Sequence, residues 1–590
     1  MRNHVGIHAP FLPLANPTRD APRPAGRPRH EPRRANAACR AHCLVYALFA
    51  PVLAWAQTAP APHIDAPRAG QALRDIETPR PTVPAPAQPD LDLPPAAPVG
   101  DASDEGPRVA VRRFELSGNQ HFDAARLQAL LADLVGRELS FAQLREAPAR
   151  ITDYYRAHGY VLARAYLPQQ EVADGEVRIA VVEGRYGRIE LHNRSRVRDA
   201  VLRQPLGALR ADTLVQGADL ERSLMLLDEL PGVEVKGTLR AGAEPGTTDL
   251  LIDAERGPFA TGGLEFDNFG EWQTGRYRFS ASVDVNTPLG LGDQLTLRGL
   301  TSERSQRYYR AAYQLPVGPA STRLGVGYSN MRYRIGGPLE ELGIYGRANV
   351  QSVSVTQPLL RSRHTSLSAQ ILYENKNLHD GLRAFDILTD KNVGLWSFSL
   401  SGRSEDDWLG GGRNGFSATL GVGRLRSNDP LGTSRRANTP GRFARLNLSA
   451  LRLQALSARL QLYTQFSAQL ASRNLDASEK FSVGGPYGVR AYALGASGGD
   501  QGWQATAELR YLAAPGWQVS TFLDTGRTQI DKQPLSDDLN TFQLSSVGIG
   551  LNWYGAKRQL SVTAALPLGN EHAALSRRSP GVWLQAAQYF

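Results

Sequence analysis

From about Phe259 to Phe590 the chain is one short run of alternating apolar and polar residues after another, separated by Gly, Pro, Asn and Asp. A segment of this pattern has one face for an apolar medium and one for water, so it folds as a strand rather than a helix. Tyr277, Phe279, Ala281, Val283 and Val285 share one face, opposite Arg278, Ser280, Ser282 and Asp284. Leu460, Leu462, Thr464, Phe466, Ala468 and Leu470 likewise interleave with Gln461, Tyr463, Gln465, Ser467 and Gln469. One face suits lipid and the other a wet lumen. About 16 such segments of roughly 10 residues fit here, the even number and the length expected of a transmembrane β-barrel of antiparallel strands. A soluble β-sandwich or propeller also alternates, so the pattern alone leaves that reading open.

The front of the chain bears on the compartment. Residues 1–56 carry eight Arg against Asp20 and Glu31, then an apolar run from Cys43 to Ala56 that ends in Ala54-Trp55-Ala56 before Gln57. This is the layout of a signal peptide with a long basic start and a small-x-small cleavage site between Ala56 and Gln57. A start assigned too far upstream would account for that length. Elsewhere no run reaches the roughly 18 apolar residues of a transmembrane helix, so an exported chain of this composition enters a membrane only as a barrel. Both cysteines, Cys39 and Cys43, fall in the leader, which leaves the exported chain without thiol chemistry. Removing the leader also takes the net charge from +10 to +4, so the basic balance gives no argument for nucleic acid. The 11 His are scattered, and no spacing suggests a metal or another cofactor.

Between leader and barrel the grammar changes twice. Residues 57–78 hold a short helical segment, Gly70 to Glu77, and residues 79–106 are a Pro-rich linker that reads as an extended tether. Two similar units of order β-α-α-β-β follow, at 107–184 and 185–257, ahead of a barrel at 258–590. In the first, Val109 to Leu116 reads as a strand. Asp123 is the N-cap of a helix with Leu127, Leu130, Leu131 and Leu134 on one face, and Ser140 with Gln143 makes a capping box for a second helix that Pro148 should bend or interrupt. Strands Tyr160 to Leu167 and Glu176 to Glu183 close the unit. The second repeats the order: strand Tyr186 to Leu191, helices Val197 to Leu202 and Leu220 to Leu230, strands Val233 to Leu239 and Thr248 to Ala254. Such a unit offers an open sheet edge to which an extended polypeptide can add a strand.

The most specific motif lies between two barrel segments: Gly484-Gly-Pro-Tyr-Gly-Val-Arg-Ala-Tyr-Ala-Leu-Gly495, followed by Gly498-Gly-Asp500. With Phe522-Leu-Asp-Thr-Gly526, Tyr166-Leu-Pro-Gln-Gln170, Val182-Glu-Gly184, Leu230-Pro-Gly-Val233 and the tandem α/β units, the chain resembles the two-partner secretion transporters, the TpsB family of the outer-membrane assembly factor superfamily. The resemblance runs from about Gly70 to Phe590. It implies a barrel of about 16 strands, two periplasmic POTRA domains and an N-terminal helix that plugs the lumen at rest. It also implies that the loop after barrel strand 11 folds inward, so that Arg490 of Val489-Arg490-Ala491-Tyr492 meets Asp524 of the Phe522, Asp524, Gly526 motif. Ala491 departs from the glycine common at that place, which restricts the backbone there. Phe590 corresponds to the terminal aromatic read by the barrel-assembly machinery.

The residues support the pair on their own account, since a guanidinium folded into a lumen needs a carboxylate in fixed fork geometry. The expected function is an outer-membrane pore of a Gram-negative bacterium that recognises one large TpsA-like exoprotein through its POTRA domains and exports it without ATP. Its other partners are outer-membrane lipid and the assembly machinery, with no nucleic acid. Two alternatives remain at this stage: an insertion and assembly factor of the same superfamily, and a nutrient porin, for which the region from Pro107 to Gly257 would have no use. Gly495-Ala-Ser-Gly-Gly499 matches the G-x-S-x-G pattern of serine hydrolases, but a nucleophile elbow needs a helix after it, and the strand around Gln504 to Leu512 follows instead. An enzyme is therefore not expected.

Overall fold

The computed structural model describes residues 68–77, 90–92, 108–537, 539–569 and 581–590. The leader and its Ala56–Gln57 junction lie outside the described residues, as does most of the linker.

Sixteen antiparallel strands form a closed barrel, each hydrogen-bonded to its neighbour in sequence order and the last to the first. They are β1 (Ala260–Asp267), β2 (Arg278–Asn286), β3 (Gln294–Ser302), β4 (Arg307–Val317), β5 (Thr322–Arg334), β6 (Ile344–Arg361), β7 (Thr365–Leu382) and β8 (Ile387–Asp406). The circuit continues with β9 (Gly412–Ser427), β10 (Gly441–Ala455), β11 (Leu460–Ala471), β12 (Gln501–Ala514), β13 (Trp517–Gln529), β14 (Thr541–Tyr554), β15 (Arg558–Pro567) and β16 (Val582–Tyr589). The expected alternation holds: in β2 Phe279 is exposed on the outside while Arg278 is buried on the lumen side. Apolar outward residues run in register across six of the sixteen strands, Leu315 opposite Leu324, then Val355, Ile371, Phe398 and Leu420. Closure leaves no strand edge bare to lipid. Phe590 exchanges backbone hydrogen bonds with Gly262 at 3.1 and 3.2 Å, and its ring lies where a Cβ on residue 262 would sit.

The first α/β unit follows the expected order with local corrections. Asp123 caps a helix that runs only Ala124–Ala129 before a short 3-10 turn, Ala132–Leu134, which keeps Leu127, Leu131 and Leu134 in the core. The Ser140–Gln143 capping box is formed in both directions, at 3.0 and 3.3 Å. Pro148 does not itself break the second helix. The break falls at Arg145, and Pro148 sits in the first turn of Glu146–Ala157, where no intrahelical N–H is required of it. The single strand expected over Val109 to Leu116 is two, Val109–Ala110 and Arg113–Ser117, because Val111 and Arg112 turn to different partners, the carbonyls of Arg137 and Gly175. Only Arg164–Tyr166 of the next segment is strand. Tyr160 is instead drawn into an aromatic cluster with Phe122 and His121 and hydrogen-bonds His121 Nε2.

The second unit has its three strands at Arg185–Asn193, Val233–Ala241 and Thr247–Arg256, with helices Asp199–Leu202 and Gly217–Asp228 packed on them. Its open edge is taken. Asp90–Asp92, from the Pro-rich linker, pairs in parallel with Lys236–Thr238, so the chain itself adds the strand that the edge invites. The unit is also fixed to the near rim of the barrel. Glu229 forms ion pairs with Arg361 (2.5 Å) and Arg323 (3.1 Å), and Arg222 donates to the Leu359 carbonyl at 3.0 Å.

Candidate functional site in the barrel lumen

Two elements fill the lumen: a helix from the front of the chain and the long loop 472–500 between β11 and β12. Helix α1 (Ala69–Glu77) covers the expected Gly70 to Glu77 segment. Its Leu73 and Ile76 are buried against Tyr308, Met331, Tyr333, Leu378, Val393 and Leu395 of the inner wall. The wall is polar by pattern yet carries this apolar strip where the helix lies. Polar ties fix the ends: the Ala69 N–H donates to Asp380 Oδ1 at 2.8 Å, and Glu77 Oε1 accepts from Tyr308 and Ser329, each at 2.8 Å. Arg74 donates to the carbonyls of Ala477 and Lys480, which joins helix to loop.

The loop is anchored by buried charges. Asp476 meets Lys391 at 2.6 Å, and Glu479 meets Lys376 and Arg445, each at 3.0 Å. Burial pushes both carboxyls up, but the adjacent cations outweigh it and hold Asp476 and Glu479 below the usual carboxylate range. A small hairpin, Phe481–Val483 with Ser497–Gly499, then carries the motif back across the lumen.

At its tip Arg490 reaches Asp524 on β13. Arg490 Nε donates to Oδ2 at 3.0 Å, Nη2 to Oδ1 at 2.9 Å, and the Arg490 backbone N–H to Oδ2 at 3.1 Å. Thr506 and Ser546 each donate to the same carboxylate at 3.0 Å, so this fully buried anion accepts five hydrogen bonds. Arg490 also pairs with Glu508 on β12 at 2.8 Å, and its guanidinium lies 3.2 Å from the Phe522 ring centroid. Burial works against the charged guanidinium, yet Asp524 and Glu508 outweigh it and raise the Arg490 pKa. Val489, Ala491 and Tyr492 pack with Phe522, Leu544 and Ala565. Ala491 has no positive φ, so the methyl group in place of glycine costs no backbone strain. Gly526 is required, since a Cβ there would lie 2.8 Å from Val483 Cγ1.

Three contacts were not foreseen. Glu508 shares Arg490, although its place on the polar face of a strand was readable. Trp583 Nε1 on β16 donates to the Arg490 carbonyl at 2.7 Å, and Phe269 packs edge-on against both Trp583 and Tyr487. This ties the loop to the seam between first and last strands. Gly495 touches both α1 and the loop after β1, where a Cβ would meet Gln71 and Glu271. Burial first, then the nearby Asp75 carboxylate, pushes Glu271 up to about 8 against the opposing charge of Arg74. Ser497, the residue of the hydrolase-like pattern, is buried in the loop hairpin and shares a hydrogen bond with Thr528.

A family model described as "Haemolysin secretion/activation protein ShlB/FhaC/HecB" matches residues 246–553, and "POTRA domain, ShlB-type" matches 109–184. The chain belongs to the haemolysin secretion/activation family. The heme/hemopexin transporter protein HuxB of Haemophilus influenzae strain 86-028NP is 28% identical over 467 residues, 77% of this chain and 82% of that one. The outer membrane transporter CdiB of Dickeya dadantii is 23% identical over 480 residues, 79% and 84% of the two chains. The structure of CdiB from Escherichia coli superposes with a TM-score of 0.66 at 22% identity, over 84% of this chain and 93% of that one, a likeness of fold. This haemolysin secretion/activation protein is thus a two-partner secretion transporter and not an enzyme, an outer-membrane barrel with POTRA domains in the periplasm that engage an exoprotein.

Proposed function

We propose that α1 and loop 472–500 together close the pore at rest, and that a client strand opens it by exchange at the POTRA 2 edge. The observation that carries this is the parallel pairing of Asp90–Asp92 with Lys236–Thr238, on the same stretch of chain as α1. An extended client segment that replaces this strand makes the same main-chain hydrogen bonds, so exchange needs little free energy beyond its side-chain contacts. Freed linker then lets α1 leave the lumen. The Arg490–Asp524 contact holds the loop against the wall while the plug moves, which keeps the barrel shaped around an unfolded chain. Export draws on client folding outside, since no nucleotide motif is present in the sequence.

In this reading the working units are 57–78 with the plug, 79–106 as tether, POTRA 1 at 107–184, POTRA 2 at 185–257 and the barrel at 258–590, after removal of 1–56 between Ala56 and Gln57. Phe590 is the group the assembly machinery reads during insertion, and outer-membrane lipid contacts the apolar band. Deletion of this protein should abolish surface appearance of a single exoprotein while other barrels assemble normally. General loss of outer-membrane proteins would select an assembly role instead.

A further inference from the structure

On the outer wall, at the strand ends remote from the POTRA domains, three arginines stand side by side. Arg307 on β4 is directly opposite Arg332 on β5, and Arg332 is directly opposite Arg347 on β6. All three are exposed and share the parity of the lipid-facing Tyr309 and Tyr328, while Tyr308 and Met331 on the other parity are buried against the plug. Side chains opposite one another in an antiparallel pair have Cβ atoms about 5 Å apart, and like charges so placed are destabilising. Among the described residues no ion pair or side-chain hydrogen bond reaches any of the three guanidinium groups. Arg310 and Arg323, which face inward from the same two strands, are paired with Glu77 and Glu229. The outward row is therefore a place where positive charge is concentrated without an internal counter-ion among the described residues.

What lies beside it names the ligand. The next outward row is Tyr309, the buried Asn330 and Asn349, with Asn330 and Tyr328, one outward position further on, both donating to Asn349 Oδ1. Below them the outward face becomes Val326, Val353, Leu324 and Val355, the band that meets hydrocarbon. Read from the rim inward, the wall offers guanidinium groups, then phenol and amide groups, then aliphatic side chains. A phosphate-bearing glycolipid has the same order: phosphates, sugar hydroxyls and amides, acyl chains. Arginine binds phosphate through a two-pronged fork, and each cation near a membrane surface contributes about 1 kcal/mol to binding an anionic lipid.

We propose that Arg307, Arg332 and Arg347 form a binding site for a phosphorylated glycolipid of the outer leaflet, with Tyr309, Tyr328 and Asn349 under its sugars. The lipid supplies the counter-charge that this row lacks, and it braces the β4–β6 wall on whose inner face the plug rests.

The test uses the purified full chain in neutral detergent, with native mass spectrometry and thermal unfolding as readouts. Bisphosphorylated lipid A, monophosphorylated lipid A, phosphatidylethanolamine and inorganic phosphate are offered separately. Wild type should retain bisphosphorylated lipid A best and monophosphorylated lipid A less well, and the former should raise its unfolding temperature. R332Q should weaken retention about fivefold, and R307Q/R332Q/R347Q on the order of 100-fold. R210Q, an exposed arginine on POTRA 2, should change nothing. In detergent without lipid the triple variant should unfold no earlier than wild type, since it loses like-charge repulsion. Equal retention by wild type and the triple variant, equal retention of phosphatidylethanolamine, or the same stabilisation by inorganic phosphate alone would each overturn the proposal. If the triple variant does not fold, R332Q decides by the same comparison.

Discussion

Replacing Arg490 by alanine isolates what the loop contact contributes. Asp524 is fully buried and takes three of its five hydrogen bonds from Arg490, two of them from the side chain. Glu508 would keep Arg510 at 3.0 Å, so the charge left stranded is chiefly that of Asp524. Breaking a buried pair on one side costs about 3–5 kcal/mol, which lowers the ratio of docked to released loop on the order of 10²- to 10⁴-fold. Asp524→Asn on top of Arg490→Ala removes the stranded charge and keeps an acceptor for one of the Thr506 and Ser546 hydroxyls, while the other can turn to accept from the new amide N–H. The double variant should therefore regain most of the loss. Hydrogen exchange across residues 484–495 reads loop docking, and export of the exoprotein reads function in the same cells. Unchanged exchange in Arg490→Ala, or a double variant whose effect equals the sum of the two single ones, would refute this account.

Three further outcomes follow from the same geometry. Glu271, held near pH 8 in the docked state, would return to about 4.3 once the plug leaves. The docked state then binds the extra proton, so docking is strongest in acid, weakens as pH rises and levels off above about 8. Conductance of the protein in planar bilayers should rise between pH 5 and 8, and Glu271→Gln should flatten that rise. Glu229→Gln, which removes the charge that faces Arg361 and Arg323, should weaken POTRA 2 docking by about 2 kcal/mol and broaden spin-label distances between POTRA 2 and the barrel. Deletion of residues 90–92 should expose the Lys236–Thr238 edge and raise the affinity of POTRA 2 for an exoprotein-derived peptide, measured by titration calorimetry; unchanged affinity would place client binding elsewhere.

How much of this was legible depends on whether the decisive partner is near in sequence. The barrel was readable because each strand carries its own pattern, as Phe279 outside and Arg278 inside show. The Ser140–Gln143 cap and the Asp123 cap are complete within four residues, and both are where their spacing puts them. Arg490 and Asp524 were readable only through the family motif. Nothing local distinguishes Asp524 from the other carboxylates on lumen-facing positions. Asp90–Asp92 carries no strand signal in its Pro-rich setting, and only the free edge at Lys236–Thr238 makes it one. The hairpin Phe481–Val483 with Ser497–Gly499 is Gly-rich for the same reason that it was unreadable: close backbone approaches leave no room for patterned side chains. The strand expected from Tyr160 starts only at Arg164, because packing with Phe122 and His121 draws Tyr160 out of line.

The stretch between α1 and the linker strand sets one more property. Only residues 78–89 separate Glu77 from Asp90, a span of about 40 Å when fully extended. While that strand stays clamped, the helix can retreat no further than this leash allows. Even after strand exchange it remains attached to POTRA 1 through residues 93–107. A short tether keeps its cargo at an effective concentration in the millimolar range. Resealing after each passage is then a first-order event whose rate does not depend on how many copies of the transporter a cell carries, and the permeability barrier of the outer membrane is restored without any second protein.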